Sequence, residues 1–125
     1  RSSLVIDIIN EGTPRSLSPQ QIRQLFYIFR EALSNIEKYA NPERVSIKFI
    51  WVENALTLLI SDNGVGFDQT LVKTSGHYGL QFMRSRAELI NSGFSIQSAH
   101  GKGTTVSLIV PYEEGLSDKP DGVPI

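Results

Sequence analysis

The chain has 125 residues, 40% hydrophobic and 20% charged, which suits one globular domain with a real core and excludes a disordered or fibrous chain. A formal net charge of -1 supplies no general attraction to nucleic acid or anionic membrane, so no nucleic-acid partner is expected and any anion binding has to be local. With no cysteine, disulfides, thiolate metal sites and thiol nucleophiles are excluded, and no apolar run approaches the roughly 20 residues a spanning helix needs.

Residues 4–9 alternate weakly and are rich in branched side chains, which predicts an edge strand, interrupted by the turn-forming residues Asn10, Gly12 and Pro14. Ser18 followed by Pro19 is a helix start, the serine as cap and the proline where a missing N–H costs nothing. The helix is expected to run until Asn41-Pro42. At about 100° per residue, Ile22, Leu25, Phe29, Ala32, Leu33, Ile36 and Ala40 gather on one side, predicted to face the core. Residues 44–52 and 55–61 read as an antiparallel hairpin turning at Glu53-Asn54, with Val45, Ile47, Phe49 and Trp51 on one face. Between residues 62 and 79 the periodicity fails and glycines gather, so this loop is where chemistry is expected. Residues 80–90 resume helical spacing through Leu80, Met83, Ala87 and Ile90, and Asn91-Ser92-Gly93 stops them. Residues 94–98 and 104–110 form a last strand pair about a glycine-rich turn.

The resulting order of strand, helix, two strands, loop, helix, two strands predicts an α+β fold, a two-layer sandwich with helices on one face of a mixed, mostly antiparallel sheet. Residues 1–111 are expected to form the domain and residues 112–125, polar and with Gly and Pro, a flexible tail. The Arg1-Ser2-Ser3 start resembles neither an initiator nor a secretion signal, which predicts a piece of a longer protein.

Four segments could carry chemistry. Glu31, Asn35 and Lys38 are spaced by four and three residues, within an arc of roughly 60° opposite the apolar side. A carboxylate that orients a hydroxyl, an amide oxygen that ligates Mg²⁺ and an ammonium that meets phosphate suit a metal nucleotide, though the solvated face of any amphipathic helix carries such residues. Asp62-Asn63-Gly64-Val65-Gly66-Phe67 sets a carboxylate at a strand end, able to accept from an exocyclic amine, before two glycines that admit a close ligand. The competing reading, an Asp-Asn-Gly turn, leaves Gly66 unexplained. Gly76-His77-Tyr78-Gly79-Leu80 leads into the second helix, whose free N–H groups make an anion site, and both glycines would also serve a plain connector. Gly101-Lys102-Gly103-Thr104-Thr105 reads alone as a glycine turn, and neither the Walker nor the Rossmann spacing occurs.

In their fixed order these segments resemble the GHKL superfamily of ATPases, most closely the catalytic domain of sensor histidine kinases of the nitrate- and desiccation-sensor class, across about residues 4–111. Arg30-Glu31-Ala32-Leu33-Ser34-Asn35-Ile36-Glu37-Lys38-Tyr39-Ala40 is similar to the family's asparagine box and the Asp62 segment to its first glycine box. The Gly76 segment, with Met83-Arg84-Ser85-Arg86, is similar to the second glycine box, and Gly101-Lys102-Gly103-Thr104-Thr105-Val106 to the last. Tyr39 and Ser85 depart from the pattern, where many relatives carry histidine and an acidic residue.

The resemblance implies the Bergerat fold with ATP and Mg²⁺ as cofactors. Asp62 would bind the adenine amino group with Thr104 or Thr105 in support, Asn35 would hold the metal, and Lys38 would lie near the phosphates. Glu31 stands at the general-base position, and Gly64, Gly66, Gly76, Gly79 and Leu80 would line the nucleotide. It further implies γ-phosphoryl transfer to a histidine on a separate dimerisation domain, then to a response regulator. The intact protein would be a homodimer and this chain a monomer. The location would be cytoplasmic, free or as part of a membrane-bound sensor. A serine kinase of the anti-sigma-factor type, or a nucleotide-binding scaffold without turnover, would carry the same segments.

Overall fold

The structure, a computed structural model, describes residues 4–69 and 79–114. Branched side chains set the strands: β1 (Val5–Glu11), β2 (Arg44–Trp51), β3 (Ala55–Asp62), β4 (Gly93–Ser98) and β5 (Thr104–Pro111). They form one sheet in the order β1-β2-β3-β5-β4. Edge strand β1 is parallel to β2, and every other pair is antiparallel. Helices α1 (Pro19–Asn35) and α2 (Leu80–Glu88) lie against one face, the expected α+β arrangement.

The start of α1 is closed by a capping box. The Gln21 N–H donates to Ser18 Oγ (3.1 Å) while the Ser18 N–H donates to Gln21 Oε1 (2.9 Å), satisfying two groups that a helix start leaves open. Gln21 Nε2 also donates to the Pro111 carbonyl (2.7 Å), tying the start of the helix to the end of β5. These bonds let a polar side chain lie fully buried.

The core joins Leu25, Ile28 and Ala32 of α1 and Met83 and Ala87 of α2 to alternate residues of three strands, among them Val45, Leu56, Leu58, Ile60, Val106 and Leu108. The buried face of α1 therefore runs through Gln21, Gln24, Leu25, Ile28 and Ala32. This corrects the predicted face: Ile22 and Leu33 are 38% and 40% exposed, because the face centred on Leu25, Ile28 and Ala32 packs on the sheet and carries Gln21 inward to its bond with Pro111. The helix also changes character at Asn35. Residues Ile36–Ala40 wind as a π-helical turn, ended by Asn41 in the left-handed region (φ 47°).

Three strands end later than expected: β1 continues to Glu11, held in parallel register with Ile50, β3 to Asp62, opposite Thr104, and β5 to Pro111, opposite Ala55. The predicted tail also starts too early at 112. Tyr112 stacks on Trp51 (6.4 Å between centroids), donates to the Val52 carbonyl (2.8 Å) and lies under the Arg15 guanidinium. Residues 115–125 of that segment lie outside the described residues.

Replacing Gln21 with leucine keeps the bulk but leaves the Ser18 N–H and the Pro111 carbonyl without this partner. The Gln21→Leu chain is expected to lose about 1–3 kcal/mol of stability. Urea unfolding would show this as a lower midpoint at unchanged slope.

Candidate functional site

One side-chain row crosses the sheet beneath the helices. Antiparallel register puts Asp62 of β3 opposite Thr104 of β5, and Thr104 opposite Ser98 of β4. The next row inward is apolar, Ile60 beside Val106 beside Ile96. Because strand side chains alternate between faces, Thr105 points to the other side, where its hydroxyl meets Ser61 Oγ (3.0 Å). Of the two threonines, only Thr104 reaches the helix side.

A pocket opens over these rows, with about 460 Å³ between its walls, solvent-facing space included. Ala32, Asn35, Ile36 and Tyr39 line it from the first helical segment, Leu80 and Met83 from α2, and Ile60, Asp62, Ile96, Thr104 and Val106 from the sheet. Gly66 and Phe67 complete it. The walls are mostly apolar, with a few polar groups, Asn35 and Tyr39 from the helical side and Asp62 and Thr104 from the sheet, the make-up of a small-molecule site.

Asp62 supplies the charge among these groups. Its Oδ1 accepts from the Gly64 N–H (2.8 Å). Burial pushes its carboxyl above the ordinary carboxylate range, and the Gly64 hydrogen bond offsets part of that shift. The loop after it is held against two elements. Asn63 Oδ1 accepts from the Glu43 and Arg44 N–H groups (3.0 and 2.9 Å), and the Val65 N–H donates to the Ala40 carbonyl (2.9 Å). This pressing explains both glycines. A Cβ at Gly64 would overlap the Ala40 carbonyl, and one at Gly66 (φ 65°) would overlap the Ala99 carbonyl. Both obstacles are backbone and cannot swing aside.

The three candidate residues of the first helical segment stand differently towards the pocket. Asn35 lines the pocket. Glu31 turns towards the start of α2, its carboxylate packed where a Cβ of Gly79 would sit. Lys38 is exposed and is not among the pocket-lining residues. The 100° spacing holds from Glu31 to Asn35 and fails only at Lys38, because the wider π-helical turn starts at Ile36; Tyr39 of that turn lines the wall. Gly79, in the left-handed region (φ 60°), caps α2, and Gly76 lies outside the described residues.

Sequence reasoning passed over Ser98 and Gln69. Ser98 Oγ accepts from the Phe67 N–H (2.9 Å), donates to the Gly103 carbonyl (3.1 Å) and lies 2.7 Å from Thr104 Oγ1. The Gln69 amide bonds both the Ile96 carbonyl and the Ser98 N–H, fastening the loop to the outer edge of β4. The pairing register would have revealed Ser98; nothing in the local sequence marks Gln69. Among the described residues no group of three or more His, Asp and Glu stands together for a metal.

A family model described as "Histidine kinase-, DNA gyrase B-, and HSP90-like ATPase" matches residues 20–114. Among curated proteins, the chain is 36% identical over 97 residues to the sensor histidine kinase YdfH of Bacillus subtilis, covering 75% of this chain and 24% of that protein. It is 34% identical over 126 residues to the sensor histidine kinase LiaS of the same organism, covering 98% and 35%. It is also 34% identical over 101 residues to the nitrate/nitrite sensor protein NarQ of Escherichia coli, covering 80% and 18%. The chain thus spans about a third or less of these relatives. Among solved structures, the histidine kinase domain of a blue-light activated histidine kinase from Erythrobacter litoralis superposes with a TM-score of 0.74 at 16% identity, covering 90% of this chain and 56% of that one. The mycobacterial sensor histidine kinase MprB superposes with a TM-score of 0.69 at 20% identity, covering 90% and 84%.

The half-buried Asp62 carboxylate has a sign that can be tested. Its folded pKa lies above the unfolded value, so on acidification the folded state takes up this proton first and the Asp62 contribution to stability rises as the pH falls between those two values. Asp62→Asn removes the charge and keeps an acceptor for the Gly64 N–H. Thermal unfolding is expected to show the variant more stable than the unaltered chain at pH 7, with the margin shrinking as the pH falls through the raised pKa.

Proposed function

Because this chain belongs to the histidine kinase-, DNA gyrase B- and HSP90-like ATPase family, we propose that its pocket binds ATP and that it serves as the catalytic domain of a sensor histidine kinase. The observation that carries this reading is a single carboxylate, Asp62, half-buried in the wall of a mostly apolar pocket. An aminopurine matches it, with an apolar ring for the walls and an exocyclic amine for the carboxylate.

In this reading Asp62, with Thr104 beside it, holds the base, and Leu80 and Met83 cover it. Gly64 and Gly66 keep the loop backbone low enough for the ligand to pass. The start of α2 at Gly79 and Leu80 would turn its N–H groups towards the phosphates, and Lys38 would contribute from the flank. Asn35 offers Mg²⁺ one amide oxygen. That modest offering fits a cation that keeps several waters and takes its other ligands from phosphate, and the metal would neutralise phosphate charge. Glu31, packed against Gly79 at the start of α2, would orient the attacking group. The γ-phosphoryl group would pass to a histidine on a separate dimerisation domain and then to a response regulator, in a protein dimeric through that other domain and located, for this part, in the cytoplasm. Relatives named as sensor histidine kinases support this assignment. Residues 1–111 would be the catalytic unit.

Calorimetric titration with a non-hydrolysable ATP analogue and Mg²⁺ is the test. Saturable binding is expected, weakened about tenfold or more in Asp62→Ala, since a hydrogen bond to a charged group is worth about 1.5–3 kcal/mol. Failure to bind, or binding indifferent to the substitution, contradicts the reading. With labelled ATP the chain alone is expected to incorporate no phosphate, because neither of its histidines is the acceptor; incorporation would overturn that assignment.

A further inference from the structure

The outer surface of the helix pair carries a stack of side chains that neither the core nor the pocket requires. On α1, Arg23, Phe26, Tyr27 and Arg30 follow one another at three- and four-residue spacing and so share one face. Arg30 lies over both the Phe26 and the Tyr27 rings, 5.8 Å from each centroid. Across the seam between the helices, Arg86 of α2 lies over Tyr27 (4.9 Å) and over Phe82 (4.8 Å). Rings and guanidinium groups therefore alternate from Phe26 through Arg30, Tyr27 and Arg86 to Phe82. Arg86 is pinned further by donating to Gln24 Oε1 (3.4 Å).

Joining the two helices needs only Arg86 and Tyr27, yet Phe26 is 56% exposed, and Arg23, Arg30 and Phe82 are exposed with it. Among the described residues no carboxylate stands within ion-pair distance of Arg23, Arg30 or Arg86, whereas Arg44 is paired with Asp7 and Lys48 with Glu11. Glu31, the acidic residue of α1, is turned instead to Gly79. A guanidinium held flat on a ring still presents its edge N–H donors to a carboxylate, and it has little side-chain freedom left to lose on binding.

We infer that this face docks an acidic segment of a partner protein, its carboxylates on Arg23, Arg30 and Arg86 and its apolar side chains on Phe26 and Phe82. Arginine and aromatic side chains are the anchors of protein interfaces. The whole chain has a formal net charge of -1, so gathering these arginines here leaves the remaining surface acidic. That opposes a nucleic-acid duplex or an anionic bilayer spread over the molecule, but not a segment confined to the two helices. The face is separate from the pocket: α2 turns Leu80 and Met83 to the pocket and Phe82 and Arg86 to the stack.

The experiment titrates the full chain into a fluorescein-labelled helical peptide in which glutamates four residues apart flank leucines, and follows fluorescence polarisation. A control peptide carries glutamine at each glutamate. The glutamate peptide is expected to bind about tenfold or more tightly than the control, and more weakly as salt is raised. Arg86→Gln and the exposed change Arg30→Gln are each expected to lower its affinity about three- to tenfold. Arg84→Gln removes the same charge from the other side of α2, where Arg84 lies over Phe94, and is expected to leave the affinity unchanged. No binding of the glutamate peptide, equal binding of the two peptides, or a loss in Arg84→Gln that matches Arg30→Gln overturns the proposal. Tighter binding of a DNA duplex or of phosphatidylserine vesicles gives the face to another occupant and overturns it too, as does self-association in sedimentation that Arg30→Gln abolishes. If the Arg86→Gln chain fails to fold, Arg30→Gln decides, and an undiminished affinity in it overturns the proposal.

Discussion

The antiparallel register of β3 with β5 is the constraint on which both the core and the site depend. Eight consecutive pairs, from Ala55 opposite Pro111 to Asp62 opposite Thr104, put Leu56, Leu58 and Ile60 on the same face as Val106, Leu108 and Val110. Shifting either strand by one residue would send its own apolar set to the solvent side. The same shift would turn Asp62, or Thr104, away from the helices and bring Ser61, or Thr105, in. Apolar burial therefore specifies the position of the charged group. The site needs no separate device to aim Asp62, because the register that satisfies the core already aims it.

That coupling has a cost at the Asp62 end. A carboxylate half removed from water is a poor element of a fold, and the single Gly64 N–H only partly offsets its burial. The strain is contained by tight packing of the loop behind it. Gly64 lies against Ala40, Gly66 against Ala99, and Asn63 binds two backbone N–H groups before β2. An acceptor with its hydrogen bonds incompletely met is what an exocyclic amine can satisfy. The same physics that weakens the free chain at this point favours a ligand.

Much of this was legible in the sequence where local chemistry decides the outcome. Ser18-Pro19 specified the start of α1, alternation specified β2, β3 and β5, and the glycines around Asp62 pointed to the loop that approaches the pocket. Where distant contacts decide, the sequence was silent or misleading. The orientation of α1 follows from the packing of Leu25, Ile28 and Ala32 on strands far along the chain, so hydrophobic spacing alone put Ile22 and Leu33 inside. A helix drawn at uniform pitch kept Lys38 on one face with Glu31 and Asn35, whereas the π-helical turn after Asn35 alters the position of Lys38 alone. Choosing Thr104 over Thr105 required the register, and so did noticing Ser98.

The most direct measurement is a crystal structure of the chain grown with a non-hydrolysable ATP analogue and Mg²⁺. The account predicts the adenine ring in the slot between Leu80, Met83 and the sheet, its exocyclic amine within hydrogen-bond distance of Asp62 and its phosphates running towards the start of α2. A nucleotide bound elsewhere, or one whose base leaves Asp62 facing water, would contradict it.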